Sequence, residues 1–584
     1  MTTSMVDAES LLSIDVGGIN TRVALFDVVD GRYRYLGSGL AATTVYAPYF
    51  DIGEGIRAAL DRLQMATGRV LVGNDERLII PARDDGSGVD TLVATMSAGP
   101  PLNVVVLGLL EQVSLESARR LATTTYARVI ETISLNDRRK PEQRIDTLLR
   151  LRPDLVLAAG GTDRGASQSV MKLLESIGLA SYLMPEEQRP EVLFAGNQAL
   201  LEDIDASLGK VVRVHYAPNL RPALDAEQLG AAQVRLSDIY RSVRSHKVSG
   251  VEELDAWAGG GLLPTAAAFG RVIRFLGEVY DSTKAVMGID VGASATTIAS
   301  VFNSELTLSV FPQYGLGQSV ARLLEYTSLE AISRWMYQDV PADYLRDYLY
   351  QKSAYPASIP VTPEELDIEQ ALARQVMQMA IRRAASGYPA KSKRYGSSLL
   401  PWFEPIVASG SVLTRAPNLG QSMLMLLDGI QPTGVTTIVL DQSHITPALG
   451  AAAAINPVLA VQVLETGTLQ NLGTVVSLIG KARFGSPVLR ARMVYEDGNE
   501  TPMEVKQGSI VVLPLPAGQS ARLHLTPLQR FDVGMGGAGR GGGLRVVGGA
   551  LGVVVDARGR PLRVPDDPAR RRELIHRWRQ TLGG

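Results

Sequence analysis

The sequence contains no cysteine and only five histidines among its 584 residues. The absence of cysteine excludes disulfides, thiolate-ligated zinc, iron–sulfur clusters and cysteine nucleophiles. The few, scattered histidines also argue against a metal site built from imidazoles. A binding or catalytic site in this chain must therefore use carboxylates, hydroxyls, amides, basic side chains and backbone groups.

A strong net charge is lacking as well. The 58 basic and 60 acidic residues leave a formal charge of −2, so no chain-wide field attracts nucleic acid or anionic lipid, and we expect no nucleic-acid partner. With 46% hydrophobic and 20% charged residues, the composition is typical of folded globular proteins. The length predicts several domains.

Long, uninterrupted apolar runs are also missing. Residues 1–10 lack the basic start of a secretory signal, which predicts a cytoplasmic protein. The longest apolar stretch, Pro447 to Leu464, is interrupted by polar residues and by Pro457, whereas a membrane span needs about 20 strongly apolar residues. We therefore expect no membrane span and interpret this stretch as a buried helix that ends near Asn456.

Two segments of the chain resemble each other. Residues 13–26 read SIDVGGINTRVALF, and residues 288–302 read GIDVGASATTIASVF. Each is an apolar strand ending in aspartate, followed by a tight glycine turn and a second β-rich strand, so each predicts a β-hairpin. One such hairpin alone is a common structural turn. Two matching copies favour a shared ligand.

The chemistry of these hairpins suits phosphate. Glycine at a turn lets backbone N–H groups approach an anion closely, and neighbouring hydroxyls add donors. An aspartate at the strand end can hold a magnesium ion, usually through water, that bridges to the phosphates. Asp15 and Asp290 are therefore the candidate metal-side and catalytic pair. The candidate phosphate-binding residues are Gly17, Gly18, Asn20, Thr21, Arg22, Gly292, Ala293, Ser294, Thr296 and Thr297.

The paired hairpins resemble the phosphate 1 and phosphate 2 motifs of the actin, Hsp70 and sugar-kinase superfamily. The resemblance implies a two-lobed actin-like ATPase fold, with ribonuclease H-like α/β lobes that close on ATP and Mg²⁺. Leu263 to Gly270 (LPTAAAFG) resembles the first connecting helix of these proteins, and Thr446 to Pro457 resembles the small-residue helix that closes the second lobe. Ser409, Gly410 and Ser411 are similar to the adenosine motif.

The sequence departs from this superfamily at several positions. Hsp70-like and actin-like proteins carry a glutamate that positions the attacking water where this chain has Leu263. No lysine precedes Lys140, and Arg22 stands where actins place a lysine. Arg22 is either a replacement phosphate contact or a solvated strand residue. The usual adenosine Gly-Gly is Gly410-Ser411 here. Together these departures favour nucleotide binding with weak ATPase activity over fast hydrolysis.

The remaining segments predict two further units. Leu102 to Ala159 alternates strand, helix, strand, helix and strand, which indicates a parallel sheet. Its third strand runs into Gly160 to Gly165, a loop that either binds a second ligand or only lets the next helix pack. After about Val458, short strands between turn residues predict a small β-domain. We therefore expect a first lobe (1–100), an inserted α/β unit (101–245), a second lobe with connecting helix and adenosine motif (246–457), and a C-terminal β-rich domain with a basic helical tail (458–584).

Across most of its length the chain resembles the glutamate mutase L (MutL) family, through the two hairpins, RPDLVLAAGGTDRG at residues 152–165 and LFAGN at residues 193–197. Members are associated with adenosylcobalamin-dependent carbon-skeleton mutases, which implies a chaperone or reactivating role toward such a protein client. The chain has no Asp-x-His-x-x-Gly cobalamin motif, so we do not expect it to be the mutase itself. The leading interpretation is an ATP-binding, Hsp70-like protein.

Two other functions stay open from the sequence. An actin-like cytoskeletal relative would use ATP to assemble filaments, although the bulky insert and the C-terminal domain disfavour simple stacking. A small-molecule kinase of the sugar-kinase type would need an aspartate base at the lobe cleft. Asp163, in the glycine-rich loop, is the candidate for that base.

Overall fold

The chain forms a mixed α/β structure built on four β-sheets, in a computed structural model that describes residues 9–281, 283–389, 392 and 399–583. Two sheets share one strand order and form two lobes. A third sheet is wholly parallel, and the fourth lies in the C-terminal segment. In these described ranges, no helix combines the length and apolar character that a membrane crossing requires.

The first lobe is a five-stranded sheet, and the helix that follows its third strand packs against it. Strand β1 pairs antiparallel with β2 and parallel with β4. The helix buries Ile56, Ala59, Leu60 and Leu63, whose spacing of three and four residues gives it one apolar face. The elements are β1 (Leu11–Val16), β2 (Asn20–Val29), β3 (Arg32–Ala42), α1 (Gly53–Thr67) and β4 (Thr91–Met96).

The predicted α/β unit is inserted after β4. Its sheet is parallel, with the strand order β6-β5-β7-β8-β9, so the order reverses between β5 and β7. Helices cover both faces, which explains why its strands are continuous buried apolar runs. The elements are β5 (Leu102–Gly108), α2 (Glu116–Ala122), β6 (Ala127–Ser134), α3 (Pro141–Leu151), β7 (Leu155–Ala159), α4 (Gln168–Leu183), β8 (Glu191–Phe194), α5 (Leu201–Leu208), β9 (Val214–Tyr216), α6 (Gly230–Lys247) and α7 (Val251–Trp257).

After the insert, the chain returns to the first sheet and then crosses to the second. Strand β10 (Leu263–Pro264) pairs in parallel with β4, and α8 (Thr265–Val279) follows directly. Leu263 therefore begins a strand, and the helix begins two residues later than the motif LPTAAAFG predicts. Helix α8 packs on strands of the second sheet, so it connects the lobes.

The second lobe repeats the first. Its strands run β13-β12-β11-β14-β15, the order of β3-β2-β1-β4-β10 in the first sheet. Two sheets of this order make the two-lobed actin-like fold. The elements are β11 (Ala285–Val291), β12 (Thr296–Phe302), β13 (Glu305–Phe311), α9 (Leu329–Ser333), α10 (Ala342–Ala354), α11 (Pro363–Ala384), β14 (Phe403–Ser409), α12 (Ser411–Thr414), α13 (Leu419–Gly429), β15 (Gly434–Leu440), α14 (Thr446–Ala452) and α15 (Pro457–Glu465).

Two small-residue helices, α8 and α14, cross where the lobes meet. Helix α14 packs on β1 and β4 of the first sheet. A Cβ placed on Gly450 would lie 1.9 Å from the carbonyl oxygen of Ala268, so only glycine permits this approach. The apolar stretch predicted as one helix ending near Asn456 is two helices, because the chain turns after Ala452 and Asn456 caps α15.

The strands after residue 458 are shared between two sheets. Strands β16, β22 and β19 extend the second-lobe sheet to eight strands, whereas β18, β17, β20 and β21 form an antiparallel sheet. A helix, α16, then packs on α13 and β19. The elements are β16 (Gln470–Ser477), β17 (Pro487–Tyr495), β18 (Glu500–Lys506), β19 (Ile510–Leu513), β20 (Ser520–Pro527), β21 (Gly542–Val547), β22 (Val553–Asp556) and α16 (Pro568–Thr581).

Candidate functional site

The two predicted hairpins close in the same way. In the first, the N–H of Gly17 donates to the carbonyl oxygen of Asn20 at 3.0 Å. In the second, the N–H of Gly292 donates to the carbonyl oxygen of Ala295, also at 3.0 Å. The repeat in the sequence is therefore a repeat in backbone geometry.

The turns of the two hairpins contact each other between the lobes. A Cβ placed on Gly18 would lie 2.3 Å from Oγ of Ser294, so a larger residue in the first turn collides with the second. The second turn is also held from its own lobe, because the N–H of Gly317 donates to the carbonyl oxygen of Ala293 at 3.0 Å. Two turns that are remote in the sequence thus meet at one point.

The carboxylate of Asp15, at the end of β1, is held by two threonines. Its Oδ1 accepts hydrogen bonds from the hydroxyls of Thr95 at 2.7 Å and Thr265 at 2.8 Å. Thr95 lies in β4, the neighbouring parallel strand, and Thr265 is the first residue of α8. Burial raises the pKa of Asp15, and these hydroxyls and Arg22 oppose the shift.

Asp290 occupies the same place in the second lobe and faces two other carboxylates. Burial, together with the negative charges of Asp15 and Asp441, raises the pKa of Asp290 to about 7. Asp441 is fully buried after β15 and accepts hydrogen bonds from the backbone N–H groups of Ile445 at 3.0 Å and Thr446 at 2.9 Å. Three carboxylates from both lobes therefore form one electrostatic cluster.

Arg22 is the cation that faces this cluster. Burial lowers the pKa of Arg22, whereas the charges of Asp15 and Asp441 raise it. When two or three of these carboxylates are ionised, the single guanidinium of Arg22 leaves a surplus of negative charge, which a divalent cation would offset. No group of three His, Cys, Asp or Glu side chains in the described ranges could ligate a metal ion directly. A cation here would therefore also need water or ligand oxygens.

The predicted hydroxyl donors differ in their surroundings. The hydroxyl of Thr21 lies 2.9 Å from that of Thr43, and the hydroxyl of Thr296 donates to the carbonyl oxygen of Tyr314 at 2.8 Å. Both residues are fully buried, so these hydroxyls stabilise the hairpins through hydrogen bonds within the protein. Thr297, opposite Asp290, has a buried hydroxyl without a hydrogen-bond partner among the described residues.

The adenosine-like segment passes directly against the second hairpin. Gly410 has a φ of 112°, and a Cβ there would lie 2.3 Å from the carbonyl oxygen of Val291 at the end of β11. The preceding residue, Ser409, interacts with Asp290 and lies 3.3 Å from Nδ1 of His444. This segment is therefore in contact with the carboxylate cluster, and Ser411 begins the short helix α12.

His444 connects the adenosine-like segment to α12. Its Nε2 lies 2.8 Å from the hydroxyl of Thr414. Burial lowers the pKa of His444 to about 3, with a further contribution from the charges of Arg22 and Arg415. The imidazole is therefore neutral at physiological pH.

Four residues of this site are not identified by sequence reasoning: Thr95, Thr265, Asp441 and His444. Thr95 and Asp441 lie at the carboxyl ends of β4 and β15. Because open α/β sheets commonly bind ligands at the carboxyl ends of their strands, this position is the sequence signal that could identify both residues. His444 carries no such signal, because it reaches the site from the loop before α14.

A cavity of about 460 Å³ lies against the joined turns. Gly18 and Ile19 of the first hairpin and Ala293 and Ser294 of the second line it together. The cavity therefore offers one space in which a ligand reaches both lobes.

The lining of this cavity carries positive charge. Arg128 comes from β6 of the insert, and Arg322 and Arg383 come from the second lobe. Arg322 also pairs with Glu325 at 2.9 Å, but neither Asp nor Glu occurs among the described lining residues. The carboxylate cluster and Gly410 do not line the cavity, so the turns separate two chemically different faces.

The glycine-rich loop of the insert is closed by its own neighbours. The amide of Asn219 donates to the carbonyl oxygen of Gly161 at 3.0 Å and to Oδ1 of Asp163 at 2.9 Å. Asn197 accepts a hydrogen bond from the N–H of Arg164 at 3.1 Å. Asp163 does not line the cavity at the hairpin turns, so the kinase alternative gains no positioned base there.

Comparisons with known proteins match most of the chain. The family model described as MutL protein matches residues 11–468. Protein MutL of Clostridium tetanomorphum is 23% identical over an alignment of 446 residues, which covers 70% of this chain and 94% of the relative. The similarity of this chain to solved structures is weak. They include a nucleotide-free acetone carboxylase (TM-score 0.31, 13% identity, 88% of this chain and 82% of that one) and a glycerol dehydratase reactivase (TM-score 0.26, 15% identity, 71% and 94%).

Proposed function

The chain belongs to the MutL protein family, and on that premise we propose that it binds ATP with Mg²⁺ at its paired hairpins and hydrolyses it slowly. The observation that carries the proposal is the contact of two identically closed turns at Gly18 and Ser294. A ligand bound to one turn lies next to the other, so its binding energy is coupled to the relative position of the lobes.

Phosphate recognition uses the backbone of both turns. The N–H groups around Gly18 and Ser294 supply donors, and Arg128, Arg322 and Arg383 match the negative charge of the phosphate chain. On the other face of the turns, Asp15 and Asp290 bear the charge that a Mg²⁺ ion would offset, with water completing its shell. Bound there, Mg²⁺ would neutralise developing phosphate charge.

We expect hydrolysis to be slow because Leu263 stands where the resemblance places the glutamate that orients the attacking water. Leu263 forms part of β10 and has no polar group. Thr265, two residues after Leu263, has a hydroxyl group, but this hydroxyl already donates a hydrogen bond to Asp15. The protein would therefore hold its nucleotide for long periods between turnovers.

We propose that the client role implied by the MutL resemblance depends on the same change in the relative position of the lobes. Arg128 belongs to the inserted domain, so a ligand in the hairpin cavity also contacts that domain. Nucleotide binding would then shift the insert relative to both lobes and change the surface presented to an adenosylcobalamin-dependent mutase.

Calorimetric titration with ATP, in Mg²⁺ and in chelator, tests the nucleotide site. We expect Asp15→Ala and Asp290→Ala each to weaken ATP binding in Mg²⁺ by about tenfold or more, which is about 1.4 kcal/mol, and to abolish the effect of Mg²⁺. Asp61→Ala, an exposed carboxylate on α1, is the control and should bind like the wild type. Wild-type affinity in both site variants would show that the assignment is wrong.

Recovery of an inactivated adenosylcobalamin-dependent mutase tests the client role. Adding the protein with ATP, Mg²⁺ and fresh cofactor should restore mutase activity, and Asp290→Ala should restore much less. If neither restores any activity, the reactivating role is wrong. If the variant restores as much as the wild type, reactivation does not depend on the hairpin site, and ATP affinity decides that site independently.

A further inference from the structure

A second cavity lies in the C-terminal segment, beyond residue 468, where the family match ends. It measures about 270 Å³ and is bounded by the loop after β16, the turn between β18 and β19, the segment after β22, and α16. This volume is near the small end of pockets for small molecules, which span roughly 300–1,000 Å³. It shares no described lining residue with the cavity at the hairpins.

This C-terminal cavity is basic. Lys481, Arg558, Arg560, Arg563 and Arg570 line it, and its described lining includes neither Asp nor Glu. The side chains of Lys481, Arg563 and Arg570 are exposed at the rim and form no ion pair with the described part of the chain. Their charges are therefore free to meet an anion.

The two inner arginines are already paired and fixed. Arg558 donates to Asp428 at 2.6 Å and to Asp556 at 2.8 Å, and Arg560 donates to Asp556 at 2.8 Å. Although burial alone would raise the pKa of Asp556, the two guanidinium groups hold it well below its usual range. The cavity thus has an inner wall of fixed, ion-paired arginines and a rim of unpaired basic side chains.

The remaining walls offer an aromatic surface and one unused acceptor. The guanidinium of Arg558 lies 4.7 Å from the ring centre of Trp578, and that of Arg570 lies 5.7 Å from the ring of Phe484. Oε1 of Gln507 is buried at the cavity without a hydrogen-bond partner among the described residues. An unmet buried acceptor is costly, and a donor on a ligand would recover that cost.

We propose that this cavity binds a small phosphomonoester that also carries a hydroxyl group. The phosphate meets Lys481, Arg563 and Arg570 at the rim, the hydroxyl donates to Gln507, and the carbon skeleton lies against the aromatic wall beside Trp578. The small volume favours such a ligand over an acidic peptide, which would extend far outside the cavity. Its binding would stabilise the contact between α16 and the extended second sheet.

Titration of the full-length protein with glycerol 3-phosphate, inorganic phosphate and glycerol tests the proposal. We expect glycerol 3-phosphate to bind at least about fivefold more tightly than inorganic phosphate, and glycerol not to bind. Arg563→Ala and Arg570→Ala should each weaken glycerol 3-phosphate binding about fivefold or more. Arg577→Ala is the matched control, because Arg577 lies on α16, pairs with Glu573 at 2.8 Å and does not line the cavity.

A further variant separates the cavity from surface charge alone. Gln507→Leu should remove most of the preference for glycerol 3-phosphate over inorganic phosphate and leave phosphate binding intact. Absence of binding at millimolar glycerol 3-phosphate, or equal binding by Arg563→Ala and the wild type, overturns the proposal. Binding of polyglutamate that glycerol 3-phosphate does not displace also overturns it and assigns the rim to an acidic protein segment.

Discussion

Individual side chains where the lobes meet have protonation states set by their surroundings. Burial and two neighbouring carboxylates raise the pKa of Asp290 to about 7, so its negative charge is complete only above neutral pH. Burial lowers the pKa of His444 to about 3, so its ring stays uncharged beside Thr414. The raised pKa of Asp290 suits a residue whose negative charge is stabilised by a bound cation. The lowered pKa of His444 keeps a second positive charge away from Arg22.

Replacing His444 tests the second shift through stability. The pKa of this histidine is about 3 in the folded protein and about 6.5 in the unfolded chain. The unfolded chain therefore binds the proton more readily, and the contribution of His444 to stability is lost as the pH falls below about 6.5. We expect the wild type to lose about 2–3 kcal/mol more than His444→Asn between pH 7.5 and pH 4.5.

Urea unfolding at the two pH values measures this difference. Asparagine is the suitable replacement, because His444 has a φ of 52°, which asparagine tolerates. His246→Asn, on the exposed side of α6, serves as the control and should follow the wild type. Identical pH dependence in wild type and His444→Asn would mean that the ring is not held neutral.

The two hairpins act as one element although they come from different sheets. Their turns have the same closing hydrogen bond, and Gly18 fits against Ser294 only because it has no side chain. A substitution in one turn must therefore also disturb the position of the other turn.

A double-mutant cycle at this contact tests that coupling. Gly18→Ala should destabilise the protein by about 1–3 kcal/mol, as overpacking does, and weaken ATP binding, because its methyl group collides with Oγ of Ser294. Ser294→Ala removes that oxygen, so the double variant should recover part of both losses. Gly230→Ala is the control, since a Cβ there meets nothing within 4 Å. Additive losses measured by urea unfolding and calorimetry would argue against contact between the turns.

Elements with strong local patterns could be predicted from the sequence, and elements that depend on distant partners could not. Both hairpins and the parallel insert follow from apolar runs, glycine turns and alternation within short windows. The division of the C-terminal strands between two sheets could not be predicted from such windows. Strand β22 lies between β16 and β19 because it pairs with these strands, which are about 40 to 80 residues away in the sequence. His444 cannot be predicted for the same reason, since it meets Ser409 and Thr414 only in the folded chain.

At the scale of the whole molecule, the two lobes meet through helices and through the hairpin turns, and α15 also packs on β3 of the first lobe. Helices α8 and α14 cross at Gly450 and Ala268, each packing on the opposite lobe, and the hairpin turns meet at Gly18 and Ser294. The carboxylates of Asp15 and Asp290 interact across the same junction. A ligand at the turns therefore acts where small displacements change the relation of both lobes and the insert.

A structure of the protein with Mg²⁺ and a non-hydrolysable ATP analogue tests this account most directly. The account predicts phosphate oxygens within hydrogen-bonding distance of backbone N–H groups from both turns, and a Mg²⁺ ion linked to Asp15 and Asp290 directly or through water. A nucleotide bound to one lobe only, or elsewhere on the chain with the two turns unoccupied, would contradict it.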